Sequence, residues 1–159
     1  MSVSITPAES DDLDAVLECW VDLVQGQRAY GSHIEGEANR EAARDLLGQY
    51  IAGEMLAVAH RAVDDAEEII GFVMFYRDQG LFEESVHRGV IENVYVVPSA
   101  RGDGVGSALM DYAETELADR GVEVVGLSAM AENRTAQEWY RSRGYEEHRV
   151  VMEQRLDDH

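Results

Sequence analysis

The hydrophobic and polar positions of the chain fall into alternating helical and strand periods. Val3 to Pro7 is a short strand candidate, followed by Glu9-Ser10-Asp11-Asp12, an acidic run suited to a helix start. Leu13, Val16, Leu17, Trp20, Leu23 and Val24 then make one apolar helical face that runs to Arg28. The stretch from Ala29 to Gly36 reads as a loop carrying Tyr30, His33 and Glu35. A second helix is predicted from Glu37 to Ala52, with Ala43, Leu46, Leu47, Tyr50 and Ile51 inward and Gly53 as its exit. Met55 to Ala62 and Ile69 to Arg77 read as a hairpin closed by the acidic turn Val63 to Glu68. Gly71, inside the second strand, predicts a bulge or a close backbone approach.

Asp78 to Gly89 is a loop carrying Leu81, Phe82 and His87. Val90 to Val97 is rich in β-branched residues and closed by Pro98, the signature of a buried strand. After a glycine turn, Val105, Leu109, Tyr112, Ala113 and Leu117 recur at helical spacing up to Arg120 and Gly121. Val122 to Ser128 is a further strand, and Glu132 to Arg143 a short helix stopped by Gly144. Tyr145 to Leu156 reads as a final strand or two, with Asp157-Asp158-His159 as a tail. The resulting order is strand, two helices, three strands, helix, strand, helix, strand, an α/β chain of mixed rather than regular alternation.

At 159 residues the chain is read as a single domain spanning 1–159, and 45% hydrophobic content gives it a core. No apolar run reaches the length of a membrane span, and Met1 to Asp12 carries no basic start with an apolar centre; the expected location is cytoplasmic. Cys19 is the only cysteine, which excludes an internal disulfide and argues against a cysteine-built metal site; no metal is expected. The charge balance changes the picture most. Thirty-two acidic residues stand against 13 basic ones, for a formal net charge of −19, and every basic side chain is arginine. The acids are dispersed and not gathered in a tail, a surface that repels nucleic acid and anionic membranes. Such acidity without lysine resembles the proteins of salt-accumulating halophiles, in which concentrated salt screens self-repulsion. An acidic protein from a GC-rich mesophile, or one tuned to a cationic partner, has a similar composition. A homodimer is compatible with the chain.

The chemistry is carried by the strand–turn–helix unit around Arg101-Gly102-Asp103-Gly104-Val105-Gly106. Glycines at a helix start let a ligand approach the main chain, where free N–H groups and the helix dipole favour an anion, most often phosphate. A Walker A loop would need Lys-Ser/Thr after its last glycine, and Ser107-Ala108 stands there. A dinucleotide fingerprint would need a third glycine one place later than Gly106. The pattern Arg/Gln-x-x-Gly-x-Gly/Ala after a strand ending V-x-P fits at every position. It resembles the acetyl-CoA loop of the GNAT superfamily of N-acetyltransferases. Asn133-x-x-Ala136-x-x-Trp139-Tyr140-x-x-x-Gly144-Tyr145 resembles that family's second segment, with Trp139 where Phe or Leu is commoner. The order of elements is similar to the family's over nearly the whole chain.

The resemblance implies one mixed, twisted central sheet of roughly six to seven strands, splayed in the middle, with about four helices. It implies an acyltransferase that moves an acetyl group from acetyl-CoA directly to a primary amine. The acceptor could be a small molecule, an amino acid or a peptide N-terminus. In the family the strand at Val90 to Val97 parts from the strand at Val122 to Ser128, and the pantetheine arm bonds to exposed backbone there, here at Val94, Tyr95 and Val96. The pyrophosphate would sit on N–H groups of Gly102, Asp103, Gly104, Val105, Gly106 and Ser107, with Arg101 adding positive charge. Asn133 matches the position that hydrogen-bonds the pantetheine arm. Arg134, Arg141 and Arg143 stand as candidates for the outer phosphates, with solvated helix charges as the other reading.

Tyr140 matches the family's general-acid tyrosine, which protonates the departing thiolate; a core aromatic beside Trp139 is the plainer reading. Glu92 is the candidate base, acting through water, on a strand where period-two alternation would set Glu92, Val94 and Val96 on one face. A solvated strand carboxylate is its alternative. His33 and His87 are reserve bases because imidazole titrates near neutrality, and His60 and His148 show no partner in the sequence. Tyr30, His33, Tyr76 and Phe82 are the candidate acceptor-binding residues. An acyl-CoA-binding sensor or interaction module without turnover is the alternative from a different functional class.

Overall fold

The computed structural model describes residues 2–157; Met1, Asp158 and His159 lie outside the described residues, and with them most of the expected tail. Along the chain run β1 (Val3–Pro7), α1 (Leu13–Gln27), α2 (Arg40–Ala52), β2 (Leu56–Val63), β3 (Ala66–Arg77), β4 (Arg88–Val96), α3 (Val105–Asp119), β5 (Val124–Leu127) and α4 (Arg134–Ser142). Single 3-10 turns at Ser10–Asp12, Arg28–Tyr30, Glu37–Asn39 and Pro98–Ala100 enter or leave the helices and β4. The strands form one sheet in the order β1-β2-β3-β4-β5. Its first four strands are antiparallel; β5 lies parallel to β4, and α3 provides the crossover that a parallel pair requires.

The β2–β3 turn is tighter than its acidic run suggested. Val63 pairs with Ala66, so only Asp64 and Asp65 turn the chain, with φ of 47° and 66°. Two consecutive left-handed residues match the twist of a hairpin, and Asp tolerates that region better than most side chains. Gly71 meets both of its expectations. Ala59 faces Gly71 while His60 faces Ile69, which leaves Ile70 as the bulged residue. A Cβ on Gly71 would lie 2.5 Å from the carbonyl oxygen of Tyr95.

The sheet is covered on both sides. Val16, Leu17, Trp20 and Val24 of α1 and Ala43 and Leu47 of α2 pack on Leu56, Val58, Phe72, Met74 and Tyr95. On the other face Val105, Leu109, Met110, Ala113 and Leu117 of α3 pack on Ala57, Ala59, Ile70, Val73, Phe75 and Ile91. Among the described residues no charged side chain is buried, so the acids do form a solvated surface. Leu46, expected inward, is 41% exposed on α2. No helix among the described residues is long and apolar enough to cross a membrane.

Among the described residues the sheet has five strands, not six to seven. The stretch from Tyr145 to Leu156, expected to add the remaining strand or two, forms none among the described residues. Among the described residues the last main-chain hydrogen bond is from the Tyr145 N–H to the Tyr140 carbonyl, at 3.1 Å. Val150, Val151 and Met152 are 73%, 85% and 89% exposed. Alternating β-branched residues describe a segment able to enter a sheet, but a strand exists only where another strand accepts its hydrogen bonds.

Candidate active site

The two parallel strands part company halfway. Pairing runs from Arg88 opposite Val124 to Ile91 opposite Leu127 and stops there. β5 ends at Leu127 while β4 continues to Val96, so beyond Ile91 the outer edge of β4 faces no strand. At this same point β4 carries a bulge. Met74 faces Asn93 and Phe75 faces Ile91, which leaves Glu92 as the extra residue.

The bulge corrects the expected face of Glu92. Ile91, Val94 and Val96 pack with α3, whereas Tyr95 packs with Phe72 and Met74 on the side of α1 and α2. Strict alternation could not place Ile91 with Val94; the inserted residue makes that step and re-aims its own side chain. Glu92 is exposed, and its charge acts on Tyr50 of α2 and Tyr76 of β3. Those two rings meet edge to face with centroids 6.4 Å apart. Burial first, and the Glu92 carboxylate second, push both phenols above their ordinary range. Tyr76 was foreseen near the acceptor. Tyr50 was read only as an inward residue of α2, because helical periodicity does not tell a core aromatic from one facing a cleft.

β4 leads through Pro98–Ala100 into the glycine turn. Gly102 and Gly104 have φ of 89° and 83°, and a Cβ at either would find nothing within 4 Å. Backbone angle, not crowding, requires glycine at both positions. The first bond of α3 runs from the Ala108 N–H to the Gly104 carbonyl at 3.1 Å. The N–H groups of residues 102–107 make no main-chain hydrogen bond among the described residues. This is a row of free donors at the positive end of a helix. Val105 is buried and can offer only its main chain, while Asp103 is exposed. Arg101 is turned back onto the strand: its Nε donates to the Val96 carbonyl at 2.8 Å and its guanidinium lies 5.4 Å from the Tyr95 ring centroid.

α4 supplies the remaining foreseen residues. The Asn133 side-chain oxygen accepts the Ala136 N–H at 3.1 Å, so Asn133 caps this helix. Trp139 lies over the start of α3, where a Cβ on Gly106 would sit 3.4 Å from the indole ring. Tyr140 is packed between Trp139 and Tyr145, with ring centroids 5.1 Å and 6.1 Å away. Its hydroxyl makes no hydrogen bond among the described residues, and burial raises its pKa. The neutral phenol is thereby the favoured form. Behind it, Tyr145 donates to Glu114 of α3 at 2.6 Å. Arg143 bonds Asp111 at 2.7 Å and Glu114 at 2.9 Å and lies 5.8 Å from the Trp139 ring centroid.

Two of the arginines considered for outer phosphates are therefore engaged by carboxylates, Arg143 as described and Arg141 with Glu147 at 2.6 Å. Arg134 stays exposed at the start of α4. Tyr30 is 38% exposed, Phe82 is 85% exposed, and His33 is hydrogen-bonded to Glu153 at 2.8 Å. His60 lies between Thr6 and Glu67, away from the opening on β2. His87 is fixed by its backbone N–H to Glu123, and His148 is exposed in the last segment. Cys19 is a buried residue of α1, and burial pushes its thiol up to about 11.

A free strand edge beside a helix start lined with unpaired N–H groups can hold an extended ligand that ends in a phosphate. The acetyltransferase (GNAT) family profile matches residues 20–145, and the chain belongs to that family. It is similar to the aminoalkylphosphonate N-acetyltransferase of Salmonella typhimurium, 26% identical over 140 residues that cover 88% of this chain and 82% of that protein. The crystal structure of a GCN5-related N-acetyltransferase from Ralstonia eutropha superposes with a TM-score of 0.75 at 25% identity, covering 98% of this chain and 99% of that one. An aminoglycoside N-acetyltransferase in complex with CoA shares the fold at a TM-score of 0.69 and 18% identity, covering 98% and 95%. The family uses acetyl-CoA. The residues here fit that molecule: a β4 edge beyond Ile91 without a strand partner, left-handed glycines with open space where a Cβ would project, and unpaired donors at the start of α3.

Proposed function

We propose that the chain is an N-acetyltransferase that transfers the acetyl group of acetyl-CoA directly to a primary amine at the opening between β4 and β5. One observation carries the reading: β4 leaves its pairing with β5 at the residue before Glu92 and runs straight into the amide-lined start of α3. Acetyl-CoA brings an activated thioester carbonyl. The chain's own groups do the rest. The N–H groups of Gly102 to Ser107 hold the pyrophosphate, and the backbone of Val94 to Val96 holds the pantetheine arm as an added strand would be held. Fixing thioester and amine side by side is worth roughly 7–11 kcal/mol. A free N–H of β4 near Val94 stabilises negative charge on the acyl oxygen. Glu92 takes the proton of the amine through water, and the Tyr140 hydroxyl gives one to the sulfur.

The bulge supports the role of Glu92. It turns the carboxylate towards Tyr50 and Tyr76, whose ring faces and carboxylate neighbour suit an ammonium group before it loses its proton. The Salmonella relative is named for an amine that also bears a phosphonate; the amine is the part of that acceptor carried over here. The non-catalytic acyl-CoA-binding reading finds no support among these relatives, which are acetyltransferases. The acidic, lysine-free surface belongs to the same proposal: a cytoplasmic enzyme working in concentrated salt. The test is release of CoA thiol across a panel of small amines, amino acids and peptides, in dilute and in molar salt. Thiol release matched by acetylated product with one amine class is the expected result. No turnover above spontaneous hydrolysis anywhere on the panel refutes the proposal.

A further inference from the structure

Arg88 opens β4 on the same side of the sheet as Glu92. The residues between them settle the faces: a Cβ on Gly89 would meet Leu117 and Val122, and Ile91 packs with α3. Arg88 and Val90 therefore stand on the opposite face, that of α2. Tyr76 lies across from Val90 on β3, and Gly126 lies across from it on β5. One strip of the sheet thus carries Arg88, then Tyr76 and Val90, then Glu92, with Tyr50 of α2 against the Tyr76 ring. A Cβ on Gly126 would sit 2.6 Å from Nη2 of Arg88. The guanidinium therefore leans along the strip over Gly126, two residues nearer to Glu92 than its own backbone is.

That guanidinium is partly buried, yet it makes no hydrogen bond among the described residues. Its nearest opposite charge is Asp78, whose Oδ2 stands 3.6 Å from Nη1, an ion pair too long for a hydrogen bond. Every other arginine among the described residues is either exposed or bonded to a carboxylate or a main-chain carbonyl. Arg88 alone combines shelter with idle donors. Its planar fork of five N–H groups matches a carboxylate, and Asp78 balances the charge from the Nη1 side only. Both ends of the strip are felt at Tyr76: burial first raises its pKa, Glu92 and Asp78 add to the rise, and Arg88 works against them.

We propose, resting on the acetyltransferase reading above, that Arg88 is the acid-binding end of the acceptor site and that the acceptor is a small zwitterion, an amine with a carboxylate at its far end. The ammonium lies by Glu92, Tyr50 and Tyr76, and the carboxylate takes the open donors of Arg88. Strand rise sets the spacing. Two residues separate the level of Gly126 from that of Glu92, about 7 Å at about 3.3 Å per residue. Three extended chain bonds span about 3.3–3.6 Å, so amine and acid stand about six bonds apart. An α-amino acid, whose two groups share one carbon, cannot reach both ends. The chain's formal net charge of −19 makes the device necessary: an anionic group is repelled by the surface at large and needs a local cation to enter the cleft.

Calorimetry on the full chain saturated with CoA tests it, comparing ε-aminocaproate with its uncharged amide at one fixed salt concentration. The carboxylate should bind about 10- to 100-fold tighter than the amide, the range of a charge-assisted hydrogen bond. In Arg88→Gln that ratio should collapse to near one. Gly126→Ala is the second variant: its Cβ displaces only the far end of a flexible side chain, so the fold should hold while the ratio drops several-fold. Melting curves check both proteins. Thiol release from acetyl-CoA with the same two amines is read separately, so binding without turnover counts against the transferase reading and not against this subsite. Equal affinity for acid and amide in the wild type overturns the proposal. So does a preference that survives either folded variant, or tighter binding of hexamethylenediamine than of ε-aminocaproate, which would make Asp78 the group that reads the far end.

Discussion

Gly104 is where the binding half of this account is most exposed to test, because two substitutions there separate backbone strain from charge. Its φ of 83° lies in the left-handed region, and a Cβ would find nothing within 4 Å. Gly104→Ala therefore meets no clash. Its cost is the left-handed backbone itself, about 1–2 kcal/mol, which in a domain of this size lowers the melting temperature by about 2–8 °C. Gly104→Glu carries the same strain and adds a negative charge beside the free N–H groups of residues 102–107. A unit charge about 4 Å from another costs about 1 kcal/mol in water and about 4 kcal/mol at an effective dielectric of 20. Affinity for CoA should thus fall roughly 5- to 1,000-fold for the Glu variant. The Ala variant should melt like the Glu variant but bind within a few-fold of wild type. Calorimetry with CoA on both folded proteins reads the difference. A Glu variant that binds as well as the Ala variant would remove this loop as the pyrophosphate site.

Two more expectations follow from the surface and from α1. Raising potassium chloride from dilute to about 1 M shortens the screening length from about 10 Å to about 3 Å, so the melting temperature should rise; a flat or falling curve rejects the halophile reading and leaves the enzymatic one standing. Cys19, with its thiol lifted from 9.0 to about 11 by burial, should resist alkylation near pH 8 in the native state and react fully once unfolded. The same raised pKa gives a stability contribution that is complete below pH 9.0 and is lost as pH rises through about 11. Cys19→Ala should flatten that alkaline fall, and an unchanged slope in urea titrations would contradict the assignment.

The order of elements was legible because long apolar faces such as Leu13 to Val24 and Val105 to Leu117 fix helix and strand periods without tertiary help. The glycine turn was legible too, since Gly102 and Gly104 adopt the left-handed angles that their spacing advertised. What the chain concealed were features that depend on a neighbour. The bulge at Glu92 lies in an uninterrupted extended run with no glycine to mark it, and only its pairing with Met74 and Phe75 reveals it. Tyr50 belongs beside Glu92 through the approach of α2 to β3, which no local pattern encodes. Arg143 could be read from the sequence as a phosphate ligand or as a solvated helix charge, and the carboxylates that hold it, Asp111 and Glu114, lie a helix away along the chain. The strand expected from Tyr145 onward had the right composition but pairs with no strand among the described residues.

The central claim is that the opening between β4 and β5 performs acyl transfer with Tyr140 as the acid, and the kinetics of Tyr140→Phe on the best amine of the panel test it most directly. Phe keeps the ring between Trp139 and Tyr145 and removes only a hydroxyl that bonds nothing among the described residues, so folding and acetyl-CoA affinity should hold. The account predicts that kcat falls about 10²- to 10⁴-fold while KM for acetyl-CoA stays within a few-fold, the mark of an interaction made only as the thiolate leaves. A folded Tyr140→Phe enzyme that turns over like wild type would contradict it.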